Sequence, residues 1–239
     1  MADVRSTLAR SPLFHDLPPA ALDAVVADAA PFTFHPGHCL WYQGDPPLDL
    51  VVVQSGMLYE FQESRSGRRS TLYVKEPPDA VGDVAVFERR PHDASVAALT
   101  RSVVLAIRAH VVLDLAASSP QLTRNVVRGF AAHVRRLSQR RSDLVLLDLG
   151  RRVAKALLRV ARPAEPPVVD IDVIALSHLA GGAVVSVTGA LSRLERRGWI
   201  ALDRGRVALL DLPALRHYGA GGSGTPPATP ELATASARP

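Results

Sequence analysis

One stretch constrains this chain more than any other. From Pro120 to Leu149 there is no second proline and a single glycine, Gly129, and apolar residues return at three- and four-residue steps. Leu122, Val126, Phe130, Val134, Leu137, Leu144 and Leu147 share one stripe, which predicts an amphipathic helix of about 30 residues, roughly 45 Å long. A helix of that length outruns a small domain, so its stripe must lie along its own domain or find a second copy of itself. Pairing across a two-fold axis is the economical solution. The expectation is a homodimer built on Leu122, Val126, Phe130, Val134, Leu137 and Leu144. The same helix divides 239 residues into two parts, each large enough for its own core.

Ahead of it, residues 1–119 open with a short helix, Pro18 to Ala29, and continue as short β segments between turns. The turns fall at Pro36-Gly37, Gly44-Asp45-Pro46-Pro47, Ser55-Gly56 and Ser66-Gly67. Cys39 to Tyr42, Leu50 to Gln54, Met57 to Gln62, Ser70 to Val74, Val81 to Phe87 and Ala94 to Ile107 read as the strands. Regular turns between short β-rich runs predict a roll or barrel.

Behind it, residues 150–218 begin with a helix from Arg151 to Ala161 that three prolines, Pro163, Pro166 and Pro167, bring to an end. Asp172 can cap a helix running through Ala180, and Gly181-Gly182 makes a turn. Ala183 to Arg197 is a further helix ended by Gly198. Two short helices joined at glycine are a helix-turn-helix signature. Trp199 to Leu202 and Val207 to Asp211 flank Asp203-Arg204-Gly205-Arg206 as a small hairpin, the wing. Residues 219–239 are Gly, Ala, Pro, Ser and Thr with little apolar bulk, the composition of a disordered tail. The fold class is therefore α+β: a jelly-roll-like β-roll, a long helix and a winged helix-turn-helix.

Charge separates along the same line. Residues 1–119 carry 10 Lys and Arg against 14 Asp and Glu, and residues 120–218 carry 17 against 8. The basic half is where a polyanion would dock, although an Arg-rich solvated face has the same composition. Cys39 is the only cysteine, which excludes an intramolecular disulfide, a cysteine-ligated iron-sulfur cluster and a multi-cysteine zinc site. There is no run approaching the roughly 20 apolar residues of a membrane helix. Met1 to Ser11 lacks the apolar core of a secretory signal, so a cytoplasmic location without membrane contact is expected. No nucleophile-base pairing, metal-ligand spacing or phosphate-cradling loop points to an enzyme.

The order of elements, with Ser11-Pro12-Leu13-Phe14, the turn glycines Gly37, Gly44 and Gly56, and Asp148-Leu149-Gly150-Arg151-Arg152-Val153 followed by Leu157-Leu158, resembles the Crp-Fnr family of bacterial transcription regulators over about residues 7–218. That resemblance implies a cyclic-nucleotide-binding-type sensor roll, a dimerisation helix and a DNA-binding winged helix-turn-helix, with DNA, a second copy and RNA polymerase or another regulator as partners.

The family's nucleotide pocket pairs Gly-Glu with a later Pro-Arg-Ser or Pro-Arg-Thr. Here the matching residues are Gly82-Asp83, Ala85, and Pro91-His92-Asp93. Asp83 has a shorter reach to a ribose than glutamate. His92 replaces an always-charged bidentate arginine, and Asp93 brings a negative charge where a hydroxyl would donate to phosphate. Of the helix hydroxyls that face the base in ligand-responsive members, Ser138 remains beside Leu137. The resemblance thus implies no cofactor and no cyclic AMP or cyclic GMP bound in the usual manner. His35, His38 and Cys39, a conceivable haem cluster for the family, read as turn and strand packing.

In the recognition helix the family's Ser-Arg-Glu-Thr-Val-Ser-Arg is replaced by Ala183-Val184-Val185-Ser186-Val187-Thr188-Gly189. Both base-reading arginines and the glutamate are gone, so this helix cannot read the family's usual half-site. Val184, Val185, Ser186, Thr188, Gly189, Ser192, Arg193, Arg196, Arg204 and Arg206 are the candidate DNA contacts. Two functions stay open: a dimeric DNA-binding regulator with relaxed base reading, or a co-regulator whose apolar recognition helix meets a protein.

Overall fold

A computed structural model describes residues 3–63, 69–170, 173–203 and 205–221. The chain forms two compact units, one up to Val145 and one from Leu146.

The first unit opens with α1 (Val4–Arg10), whose first turn Asp3 caps by accepting from Ser6 N, and α2 (Pro19–Asp28), tied to it by the Arg5–Asp23 ion pair. Eight strands follow: β1 (Ala30–Phe34), β2 (Cys39–Trp41), β3 (Asp49–Ser55), β4 (Leu58–Glu63), β5 (Arg69–Lys75), β6 (Ala80–Val81), then after helix α3 (Asp83–Glu88) β7 (Ser95–Ala98) and β8 (Ser102–Arg108). Helices α4 (Ala109–Ser118) and α5 (Pro120–Leu146) complete the unit.

The strands form two four-stranded antiparallel sheets, ordered β1-β8-β3-β6 and β2-β7-β4-β5. Strand β3 explains how they stack. Its run Leu50-Val51-Val52-Val53 is buried on both faces, as an unbroken β-branched run requires. Val51 and Val53 join Val81 and Val104 against Leu58, Val96 and Ala98 of the other sheet. Leu50 and Val52 face outward into a layer with Leu8, Phe14, Leu22, Val25, Val112 and Leu122 from the helices.

That second layer corrects the expected dimer stripe. Leu122 is fully buried in its own unit and Val126 packs against the same layer. Beside them the Asn125 amide donates to Leu13 O at 3.1 Å and His15 O at 2.7 Å. The beginning of α5 thus lies along its own roll, while Val134 (61%), Leu137 (45%) and Leu144 (47%) remain exposed.

Other boundaries also differ from expectation. The segment Val81 to Phe87 is a strand residue followed by α3, because Gly82 turns at φ +83 and only Ala85 and Val86 of the helix need burying. Ala94 to Ile107 is two strands. Helix α5 ends at Leu146, since Asp148 caps a new helix by accepting from Arg151 N at 3.0 Å.

The second unit contains α6 (Leu149–Val160), β9 (Val168–Val169), α7 (Val173–Ala180), α8 (Val184–Arg196), β10 (Ile200–Asp203), β11 (Arg206–Leu209) and α9 (Leu212–Gly219). The strands form a sheet in the order β10-β11-β9, with Asp203 opposite Arg206 at the hairpin tip. Val153, Leu157, Leu176, Val187, Leu191, Leu194, Ile200 and Leu215 are buried in this unit. Neither β9 nor α9 was expected. The expected turn at Ser66-Gly67, Asp172, Arg204 and residues 222–239 of the expected tail lie outside the described residues. No described helix is long and apolar enough to cross a membrane.

Candidate ligand pocket and nucleic-acid interface

Inside the first unit a cavity of about 480 Å³ lies between β4, β5, the β6–α3 corner, the residues before β7 and one face of α5, a size suited to a small molecule. Gly82, Asp83, Ala85, His92 and Asp93 all line it, as does Leu137. Ser138 is exposed on α5 and is absent from the lining.

The Gly82 corner is closed by aromatic rings. A Cβ at Gly82 would stand 3.2 Å from Trp41 and 3.3 Å from the His92 ring. His92 is 6% exposed and stacks on Trp41 with centroids 4.3 Å apart and planes 15° apart. Its backbone is pinned too, with His92 N donating to Asp45 O and Gly44 N donating to His92 O. Burial holds the imidazole below its ordinary pKa range, against the opposing pull of Asp45 and Asp93. His92 is thus a ring held in a stack, with its charged form disfavoured.

The inner wall holds residues that sequence reasoning missed. Lys75 Nζ stands 3.4 Å from Glu60 Oε1, with side chains 11% and 14% exposed, and donates to Ala80 O at 3.1 Å. Burial pushes the Glu60 carboxyl up, and Asp83 and Asp93 add to that while Lys75 opposes it. Burial works against the Lys75 charge, but Glu60, Asp83 and Asp79 outweigh it and hold the ammonium's pKa above its ordinary value. Tyr73 and His133 meet at 4.8 Å to form an aromatic wall beside the pair. Burial, with Lys75 and Arg136, keeps His133 below its ordinary range, opposed by Asp83 and Asp93. One signal was available in the sequence. Glu60 is in phase with buried Leu58, and Lys75 with buried Thr71 and Tyr73, so alternation places both charges on the inward face.

In the second unit α8 turns Val187, Ala190, Leu191 and Leu194 inward. Val184 (38%), Val185 (84%), Ser186, Thr188, Arg193 and Arg196 are exposed, with Gly189 and Ser192 half-buried between them. The Thr188 hydroxyl donates to Val184 O at 3.0 Å. A Cβ at Gly189 would touch only the end of Arg193, at 3.6 Å, so a side chain fits there. The helix is tied to the hairpin by Leu202 N donating to Glu195 at 3.1 Å. Arg206 faces Asp170 at 3.7 Å, a carboxylate it shares with Arg162. Such an exposed pair is worth at most about 1 kcal/mol, so phosphate can compete for it. His35 and His38 meet edge-on at 5.8 Å beside Cys39, and no group of three metal-ligating side chains occurs among the described residues.

Comparison with known proteins follows the same division. A model of the cyclic nucleotide-binding domain matches residues 31–119, and one of the Crp-like helix-turn-helix domain matches residues 151–218. The chain is 26% identical over 211 residues to a CRP-like cAMP-activated global transcriptional regulator of Mycobacterium tuberculosis, covering 85% of this chain and 94% of that one. It is 27% identical over 211 residues to a cyclic AMP receptor protein of Thermus thermophilus, covering 88% and 98%. In fold it matches a CRP-family transcriptional regulator, also of Thermus thermophilus, with a TM-score of 0.69 at 23% identity, over 80% of this chain and 97% of that one.

Proposed function

This chain belongs to the Crp-Fnr family of transcription regulators, and we propose that it works as a homodimer that holds DNA mainly through phosphates, without cyclic AMP as its effector. One observation carries the reading of the DNA side. The exposed face of α8 keeps Arg193 and Arg196 toward its C-terminal end but offers valines and a glycine where it would first meet base edges. Phosphate contacts supply affinity and salt dependence without sequence information, and base-edge contacts supply discrimination. The charge of residues 120–218, 17 basic against 8 acidic, supports the first kind of contact, from Arg193, Arg196, Arg206 and Arg204, with Ser186, Thr188 and Ser192 as neutral donors.

Exposed Val127, Val134, Leu137 and Leu144 on α5 support pairing with a second copy. Against cyclic AMP stand the His92–Trp41 stack and the Asp83 and Asp93 carboxylates, in a pocket whose relatives are named for that nucleotide. Ser138 is left without a place in the cavity. A second reading, that α8 docks on a protein such as RNA polymerase or another regulator, is favoured by one feature, the 84% exposure of Val185.

Duplex binding across a salt series decides between the two, alongside light scattering and calorimetry with cyclic AMP. The expected results are twice the 25.6 kDa chain mass, steeply salt-dependent binding to unrelated duplexes, and no heat from cyclic AMP. Absence of binding to any duplex at low salt, for a folded dimer, would transfer the reading to the protein partner. Cyclic AMP affinity near about micromolar would overturn the pocket reading.

A further inference from the structure

Two arginines of α5 stand on either side of a floor without side-chain bulk. Gly129 and Ala132 lie between Arg128 and Arg136 in the chain, and a Cβ added at Gly129 would meet nothing within 4 Å beyond the helix's own backbone. Over this floor lies a second cavity of the first unit, about 500 Å³ in volume. Its facing wall is the end of α1 and the chain after it, which Asn125 holds in place by donating to Leu13 O and His15 O. Lys75, Asp83 and His133 border both this cavity and the one already described, but none of Gly82, Ala85, His92 and Asp93 lines it.

Charge sets this space apart. Arg10, Arg128 and Arg136 line it, and all three are exposed. Among the described residues none of them forms an ion pair, and Arg10 Nε donates to a backbone oxygen, Ser6 O, at 3.2 Å. The two acids of the lining are engaged elsewhere. Asp79 accepts from Glu76 N at 3.1 Å, and both Asp79 and Asp83 act on the Lys75 ammonium. Arginines facing one concave space repel each other, and an anion between them relieves that repulsion. Guanidinium groups also carry paired N–H donors that match phosphate and carboxylate oxygens. The volume exceeds what a single ion needs and suits a small organic molecule. Ala132 and Arg136 each stand about 200° from Val134 around α5, so a second copy pairing on Val134 would leave the cavity open.

We propose that this cavity is a binding site for a small multivalent oxyanion, a metabolite carrying phosphate or carboxylate groups, held by Arg10, Arg128 and Arg136 over the Gly129–Ala132 floor. Bound there, it would bridge the end of α1 to the middle of α5.

Calorimetry on the full chain with pyrophosphate and with citrate, in about 0.15 M chloride to screen loose association, tests the site. At least one should bind more tightly than about 1 mM, and the tighter of the two tells a phosphate ligand from a carboxylate one. Arg128→Gln with Arg136→Gln should weaken that binding at least about tenfold, through lost charge-assisted hydrogen bonds. Gly129→Leu should do the same with no change of charge, because the added side chain would occupy the floor. Ala132→Leu is the second variant of this kind should Gly129→Leu lower the melting transition. Neither probe bound at millimolar concentration would overturn the proposal. Binding that survives loss of the arginine pair would overturn it too, as would binding that survives a filled floor, since the anion would then sit elsewhere on the basic surface. Duplex affinity that falls with the arginine pair while neither probe binds would assign these arginines to a DNA backbone instead.

Discussion

His92 stands where the Crp-Fnr resemblance implies a phosphate-binding arginine. Its ring is 6% exposed and stacked on Trp41, so a proton on it must be carried inside a nearly dry stack. Burial lowers its pKa below the ordinary value of about 6.5, with only partial compensation from Asp45 and Asp93. The unfolded chain therefore takes up this proton at a higher pH than the folded one, and stability rises with pH across that interval. The neutral ring's contribution is present above about pH 6.5 and is lost as pH falls through the lower, folded-state value. His133 acts in the same sense, so the wild type should lose stability between neutral pH and about pH 5. His92→Phe, which keeps a ring against Trp41, should lose less over the same interval. Urea midpoints measured at both pH values check this; equal losses would locate the proton elsewhere. The chain that results from His92→Arg with Asp93→Ser restores the family's phosphate anchors on paper, but the arginine would have to displace the Trp41 stack. Cyclic AMP binding by that variant is expected only when Trp41 is also reduced to Leu, and calorimetry on the two variants separates the cases.

At the scale of elements, α5 divides its stripe between a part covered by the roll and a part left exposed. Leu122 belongs to the roll's outer layer and Asn125 anchors that end to the chain at Leu13 and His15, while Leu137 and Leu144 are left partly exposed. Leu122→Ala should then cost about 2 to 5 kcal/mol of stability without being a dimer mutation. Leu137→Glu should halve the mass seen by light scattering and leave the roll's melting transition in place. If Leu137→Glu remains a dimer, the pairing surface lies elsewhere. The same helix shows what was legible in the sequence. A stripe at three- and four-residue steps reports that one face is apolar but not what covers it, because a roll and a second helix demand the same residues. The two sheets, the helix-turn-helix and the wing were legible because their turns carry glycine and proline at fixed places. Helix α3 was not, because Val84-Ala85-Val86-Phe87 is as apolar and β-branched as a strand, and only the left-handed turn at Gly82 redirects it. The pocket was legible where its residues match a family motif, Gly82 to Asp93, and only half legible at Glu60 and Lys75, which alternation puts on the inward face but whose meeting depends on the register of β4 on β5 beside a bulge.

For the whole molecule, dimerisation and DNA binding become one energetic question. On the proposed reading each copy offers one helix-turn-helix with few means of reading bases, so phosphate contacts would supply most of its affinity. If α5 pairs as proposed, two such domains would bind a duplex with the second event made intramolecular, which raises affinity by about a hundredfold or more without any added interaction. Regulation through the roll needs no change in α8 on this account, because anything that alters α5 pairing alters how many phosphates are held at once. Two sets of variants separate these effects. Arg193→Ala with Arg196→Ala, in the dimer, should weaken binding to all duplexes alike and flatten the salt slope by roughly one for each phosphate that a copy no longer holds. Leu137→Glu, with α8 untouched, should weaken binding to a long duplex at least about a hundredfold and reduce the salt slope toward half. It should leave affinity for a duplex too short for two domains nearly unchanged. Fluorescence anisotropy with one long and one short duplex across a salt series measures both effects. A monomer that holds the long duplex as tightly as the dimer does would mean that one domain reads DNA by itself. The exposed valines of α8, which can contact thymine methyl groups, would then carry base recognition in place of avidity.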